Sequence, residues 1–418
     1  MNYDVLINDN EIYLYKNTDF NTINITMYFI AKNGNKYSAI YDLLCEYMLR
    51  ANKKYSQSEI AKRTRELYGL EIEWDTALKN DKRLFFINLD LVAPSIIKDN
   101  YSKEAFLFAK EILSDISFDR KDILDNIKRL KLAEIEADLS DVDEQEECLY
   151  NSTVLPNKDK EYDYSLDIDY IKNLFDSITL EDLKQVYEET INDDNFYRCL
   201  VFGNITDEEY KEFRNIFSYN GKKKSIDYQN RVSIKEGINI IPCEETNESS
   251  IYITYSLDRI DKVTRDILYD ILNGSSDLCL EIFRGKYSLV YEANATIACL
   301  GKYLYIYAKA DKNNINKVID AADELIKTIQ NPKSLKELLL RAKDAIRKEN
   351  YLLSENKKEL LCELKEYVNE VFDRQSLIDY DKRLEDINEE DVAKVTNSLV
   401  KRNVFVYRGD AKWKIIKK

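Results

Sequence analysis

Arg284 and Tyr291 are the residues of this 418-residue chain whose types and spacing speak most directly of chemistry. They stand 291 − 284 = 7 positions apart in Phe-Arg-Gly-Lys-Tyr-Ser-Leu-Val-Tyr, at either end of an expected helix-to-strand turn. A guanidinium offers a fork of donors and a phenol offers one more. Where the chain reverses, both could converge on one point and hold a peptide carbonyl or a developing oxyanion. The same spacing equally fits a surface Arg beside a half-buried core Tyr. Spacing alone leaves both readings open.

What the chain lacks is as informative. It contains no histidine, which excludes Ser-His-Asp and Cys-His catalysis, H-E-x-x-H zinc sites and imidazole acid–base chemistry. A reaction performed by this chain alone would need carboxylates, Lys, Tyr or Cys. The seven cysteines are odd in number and scattered without a C-x-x-C pair, so neither a disulfide framework nor a Cys-based zinc site is expected. With 9 Gly there is no phosphate-cradling Gly-rich loop. A formal net charge of −15 argues against nucleic acid or anionic membrane as a partner. The start Met1-Asn2-Tyr3-Asp4 lacks a basic region followed by an apolar core, and no long apolar span follows. A reducing cytoplasm is the expected compartment.

The elements that must position any site follow from periodicity. Residues 11–16 and 21–31 read as strands, and 36–51 as a helix with Ile40, Leu43, Leu44, Tyr47 and Met48 at helical spacing. Residues 56–67 form a second expected helix, stopped at Leu67-Tyr68-Gly69, and 70–78 with 84–92 read as a long hairpin across Asn80-Asp81-Lys82. Helices are expected at 102–115, 118–139, 170–175 and 179–191, and a strand at 197–203. The acidic run 141–147 reads as a solvated helix end. Residues 263–283 form one apolar-periodic segment before a strand at 289–298.

The chain then repeats itself. Ile178-Thr179-Leu180-Glu181-Asp182 matches Ile387-Asn388-Glu389-Glu390-Asp391 at an offset of 391 − 182 = 209, with Thr179 and Asn388 as N-caps. Val201-Phe202-Gly203-Asn204 matches Tyr407-Arg408-Gly409-Asp410 at 409 − 203 = 206. The expectation is an α+β protein of two homologous domains of about 200 residues, each a mainly antiparallel sheet with helices packed on it. Domain boundaries are expected at 1–218 and 237–418, with a polar linker at 219–236 containing Asn220-Gly221-Lys222-Lys223-Lys224.

Leu67-Tyr68-Gly69 before the hairpin, the duplicated body and Arg284-Gly-Lys-Tyr-Ser-Leu-Val-Tyr291 together resemble the pitrilysin/insulinase family of zinc metallopeptidases. The resemblance covers nearly the whole chain. More narrowly, it is to the non-catalytic subunit of the bacterial two-subunit branch, which is related to the mitochondrial processing peptidase. It implies two lobes forming a clam-like half chamber. In active members an H-x-x-E-H helix supplies two zinc ligands and a base, and a later Glu supplies the third ligand. The corresponding stretch here is Leu43-Leu44-Cys45-Glu46-Tyr47, so Leu43 and Tyr47 stand where the imidazoles would be. Glu46 stands at the place of the base, and Glu134 where the third ligand would be. Two carboxylates without imidazole make a poor zinc site, so no metal or cofactor is expected in this chain.

Arg284 and Tyr291 match the family's second-half pair, which reaches across the chamber and holds the substrate carbonyl. The resemblance implies a heterodimer in which a zinc-binding partner of the same family supplies the metal and this chain completes its active site on a peptide substrate. The hairpin at 70–92 is the expected edge for an extended peptide. The alternative is a non-enzymatic peptide-binding or scaffold homologue acting as a homodimer, with the Arg-Tyr pair a remnant.

Overall fold

A computed structural model describes residues 6–410 of the protein, apart from 80–81, 156–165, 193, 220–232, 259, 299–301, 354–355 and 373. The first half runs β1 (Ile7–Asp9), β2 (Ile12–Lys16), β3 (Thr22–Ala31), α1 (Asn35–Met48), α2 (Gln57–Glu66), β4 (Glu71–Lys79) and β5 (Lys82–Val92). It continues through α3 (Pro94–Ile97), α4 (Ser102–Ser114), α5 (Lys121–Asp138), α6 (Val142–Val154), α7 (Ile168–Ser177), α8 (Leu180–Thr190), β6 (Phe196–Gly203) and α9 (Asp207–Ile216). The second half runs β7 (Gly237–Cys243), β8 (Glu248–Ser256), α10 (Lys262–Asn273), α11 (Leu278–Leu280), a π-helical turn Glu281–Lys286, β9 (Val290–Ala298) and β10 (Tyr303–Asp311). After it come α12 (Ile315–Gln330), α13 (Pro332–Leu353), α14 (Lys357–Val368), α15 (Arg374–Ile378), α16 (Tyr380–Asp386), α17 (Glu389–Thr396) and β11 (Val400–Gly409). Among the described residues no helix is long and apolar enough to cross a membrane.

The duplication is written in the sheets. The first has strand order β1-β2-β6-β3-β5-β4 and the second β7-β11-β8-β10-β9. Without β1 the two orders superpose strand for strand. Only β2 with β6 and β7 with β11 pair in parallel; every other pair is antiparallel. Thr179 and Asn388 form the two expected capping boxes, with Asp182 and Asp391 closing them. Each such cap contributes about 1 kcal/mol and fixes where its helix begins. Most of the expected linker, including Asn220 to Lys224, lies outside the described residues, as do Asn80 and Asp81 of the hairpin turn.

One face of each sheet carries its own helices. Ile23, Ile25, Met27 and Phe29 of β3 point into a core with α1, α4, α5 and α8, and Ile251 and Ile253 of β8 into one with α10, α12 and α13. The opposite faces are covered by exchange. α6, from the first half, packs Tyr150 and Val154 on Tyr303, Phe405 and Tyr407 of the second sheet. α14, from the second half, packs Leu360, Leu364 and Val368 on Tyr13, Leu200 and Phe202 of the first. Each sheet is therefore apolar on both faces, and neither half buries its sheet alone.

Two details depart from the sequence reading. The apolar-periodic segment 263–283 is interrupted: α10 ends at Asn273 with Gly274 as its cap, and Asp270 accepts from the Ser275 backbone N–H at 3.2 Å. The acidic run 141–147 is not wholly solvated either. Glu146 is buried on the second sheet, accepting from the Tyr252 hydroxyl at 2.7 Å. Burial pushes its carboxyl above the usual range; the Ser250 and Tyr252 hydroxyls and Lys309 oppose this only in part. A raised carboxyl favours the protonated folded state, so this group's stabilisation is present below the ordinary Glu range and lost as pH rises through the folded value. Glu146→Gln, which keeps an acceptor for Tyr252 and no charge, is expected to raise the thermal midpoint by a few degrees at about pH 7 and hardly at about pH 4. Equal shifts at both pH values, read by calorimetry, would refute this reading.

Candidate functional site

The α1 helix decides what the first half can do. Its inward stripe of Ile40, Leu43, Leu44, Tyr47 and Met48 is buried without a polar gap. Leu43 is fully enclosed. Tyr47 is enclosed as well, and its hydroxyl donates to the Ser117 carbonyl at 2.7 Å and accepts from the Arg120 N–H at 3.2 Å. Its ring stacks on Phe118 with centroids 5.8 Å apart. The two positions at which the resemblance expects imidazole ligands are thus core packing.

The carboxylates are engaged on their own helices. Glu46 accepts from Arg50, one turn on, at 2.7 Å. Glu134 pairs with Lys131 at 2.9 Å. Among the described residues no three His, Cys, Asp or Glu side chains are grouped to hold a metal. The donor set of two paired carboxylates, a Leu and a buried phenol does not fit zinc.

Beside Glu46 a pocket of about 450 Å3 opens between α1, α5 and the edge strand β4. Asp42 and Cys45 of α1, residues 72–75 of β4 and Lys131 of α5 line it, and Glu134 does not. Burial, followed by the charges of Asp42, Asp75 and Glu46, pushes the Cys45 thiol well up, so it stays protonated and a poor metal ligand. Burial works against the Lys131 ammonium, but Glu134, Asp42 and Glu46 outweigh it and hold its pKa up. The sequence reading missed Asp42, Glu73, Asp75 and Lys131. The signal was present: Asp42 lies four residues before Glu46 on one helix face, and Glu73 and Asp75 alternate along a strand.

Arg284 and Tyr291 flank a different device. Phe283 and Leu289 are buried and pin both ends of the turn. Between them the backbone winds as a π-helical turn, and the Arg284 carbonyl accepts from the Ser288 N–H at 3.0 Å. Ser288 takes a left-handed φ of 51°. The register of β9 against β10 skips Tyr291: Val290 pairs with Ala310 and Glu292 with Lys309. Tyr291 is therefore the extra residue of a β-bulge on an edge strand, a place where bulges re-aim side chains. Arg284 is exposed and Tyr291 is 64% exposed. Neither side chain makes a hydrogen bond or ion pair with another described residue, whereas the side chains of the intervening Lys286 and Tyr287 are both held by Glu324 at 2.6 and 2.5 Å.

A family model described as the peptidase M16 inactive domain matches residues 177–346, from the end of α7 into α13. A comparison with curated protein sequences gives no match. Among solved structures, a conserved protein from Enterococcus faecalis V583 is 16% identical over 96% of each chain, with a TM-score of 0.77. A peptidase M16 inactive domain from Pseudomonas fluorescens is 14% identical over 96% of this chain and 95% of its own, at 0.74. A protease from Helicobacter pylori is 14% identical over 96% and 98%, at 0.71. At these identities the likeness is one of fold, and it spans both halves.

Tyr47 offers a direct check on the filled site. Tyr47→Phe leaves the Arg120 N–H and the Ser117 carbonyl without their partner, and is expected to cost about 1–3 kcal/mol of stability. A urea midpoint unchanged by the substitution would show that water already serves these groups.

Proposed function

We propose that this chain, which carries the peptidase M16 inactive domain within a duplicated pitrilysin-like fold, is the non-catalytic subunit of a two-chain zinc metallopeptidase. One contrast carries the reading. The positions corresponding to metal-binding imidazoles are sealed into the core, while Arg284 and Tyr291 stand on the surface with their donors uncommitted.

In this division of labour the zinc belongs to a partner of the same family bearing H-x-x-E-H. The substrate is an unfolded peptide or leader segment enclosed between the two chains. Arg284 supplies a forked cation and Tyr291 a hydroxyl donor to the peptide carbonyl, where they stabilise the negative charge that develops on its oxygen. β4, at the open edge of the first sheet, offers main-chain groups to an extended peptide. The pair works in the reducing cytoplasm, in keeping with the free cysteines at positions 45, 148, 199, 243, 279 and 362.

The test is reconstitution. Mixed with its H-x-x-E-H partner, the chain is expected to give chelator-sensitive peptide cleavage that neither chain shows alone. Arg284→Ala and Tyr291→Phe are each expected to lower turnover by about 10²–10³ while the complex still forms on gel filtration. Full turnover in both variants removes the catalytic role. A stable homodimer that binds peptide and ignores the partner supports instead a scaffold function.

A further inference from the structure

A wide concavity lies away from both of these places, between α5 and the turn joining α7 to α8. It measures about 960 Å3, within the range of small-molecule sites. Its base is apolar: Leu124, Phe175 and Ile178 are buried beneath it, and Phe118, Leu132 and Leu180 form its partly exposed walls.

Its polar rim is unbalanced. Lys121, Lys128, Arg129 and Lys172 meet Asp125, Asp176 and Glu181. The pair Lys121 and Asp125 cancels at 2.6 Å, leaving three cations against two carboxylates in a chain of net charge −15. None of the three cations has a carboxylate in salt-bridge contact among the described residues. Lys128 is the most enclosed of them, and its ammonium donates to the neutral Ile178 carbonyl at 2.6 Å. Arg129 donates to the neutral amide of Asn126 at 3.0 Å. Burial presses the Lys128 ammonium below the usual lysine range, against the pull of Asp176 and Asp125. A half-buried cation without a carboxylate in contact, set beside the partly exposed apolar walls, suits an anion that brings its own apolar tail.

We propose that this cleft binds an amphipathic anion: a long-chain monocarboxylate, free in solution, with its tail along Phe118, Leu132 and Leu180 and its head at Lys128, Arg129 and Lys172. A cationic amphiphile would leave Lys128 unmatched, and a small inorganic anion would leave the partly exposed apolar walls wet. The site is independent of the zinc chemistry proposed above and stands whether or not that reading holds.

The experiment uses the full chain alone. Dodecanoate, dodecanol and inorganic phosphate are titrated calorimetrically, supplying head with tail, tail without charge, and head without tail. One dodecanoate per chain is expected to bind saturably, with dodecanol at least about tenfold weaker and phosphate silent, since only dodecanoate joins a charged hydrogen bond to an apolar tail. Lys128→Met with Lys172→Met is expected to reduce dodecanoate affinity about tenfold or more and to leave dodecanol binding and the thermal midpoint unchanged. Leu132→Glu, on the partly exposed wall, is expected to abolish both tailed ligands. No saturation up to about 1 mM dodecanoate, or equal affinity for the alcohol, overturns the proposal. So does an affinity indifferent to the lysine substitutions, or binding to anionic vesicles with none to free dodecanoate.

Discussion

A single guanidinium holds the two halves in register. Arg198 lies on β6, in the middle of the first sheet, and is 1% exposed. Its Nε donates to Glu11 at 3.0 Å and its Nη2 to Glu370 at 2.9 Å, and it also donates to the Val368 carbonyl at the end of α14. A charge so buried is tolerated only when its donors are met. Two of these partners lie at the last residue of α14 and just past it, so the first sheet satisfies its own arginine only by accepting a helix of the second half. Lys262 of α10 makes the complementary tie, reaching Glu363 of the same helix at 2.8 Å. α14 is clamped from both sides, and the geometry of any chamber built on the two sheets is fixed at that helix.

This exchange explains what was legible in the sequence. Strands such as Thr22–Ala31 announced themselves by their β-branched and aromatic composition, and Thr179 and Asn388 by cap chemistry, because both signals are local. The strand order repeated because the motifs did. The crossing of α6 and α14 left no such mark. Tyr150 meets Thr254 and Arg198 meets Val368 across separations of 104 and 170 residues, and periodicity gives a helix an apolar face without naming what covers it. Glu146 shows the cost: an acid in an acidic run reads as solvated until its partner sheet is known.

The site was half legible for the same reason. Residue types gave Arg284, Tyr291 and the missing imidazoles. That Leu43 and Tyr47 would be sealed into the core followed from their place on the apolar stripe of α1. The bulge at Tyr291 did not, since it exists only in the register of β9 against β10. Nor did the double role of α5, which turns Lys131 toward the pocket at β4 and Lys128, Arg129 and Leu132 toward the cleft on its other side. Phe118 links these regions, walling the cleft while stacking on Tyr47.

The duplicated topology permits one internal control on the Arg-Tyr turn. Because β4 and β9 occupy the same place in their sheets, the chain entering each makes the same manoeuvre. Before β4 it reverses through Tyr68 and Gly69, at φ of 56° and 79°, and a glycine takes the more strained position at little cost. Before β9 it reverses through a π-helical turn and Ser288 at a φ of 51°, with no left-handed glycine to relieve it. Such a conformation costs of order 1–3 kcal/mol and persists where the surroundings over-determine it. Here Phe283 and Leu289 do so, spending buried area to hold a turn whose own side chains face solvent. What the second half gains from its turn is a fixed backbone beneath Arg284 and Tyr291.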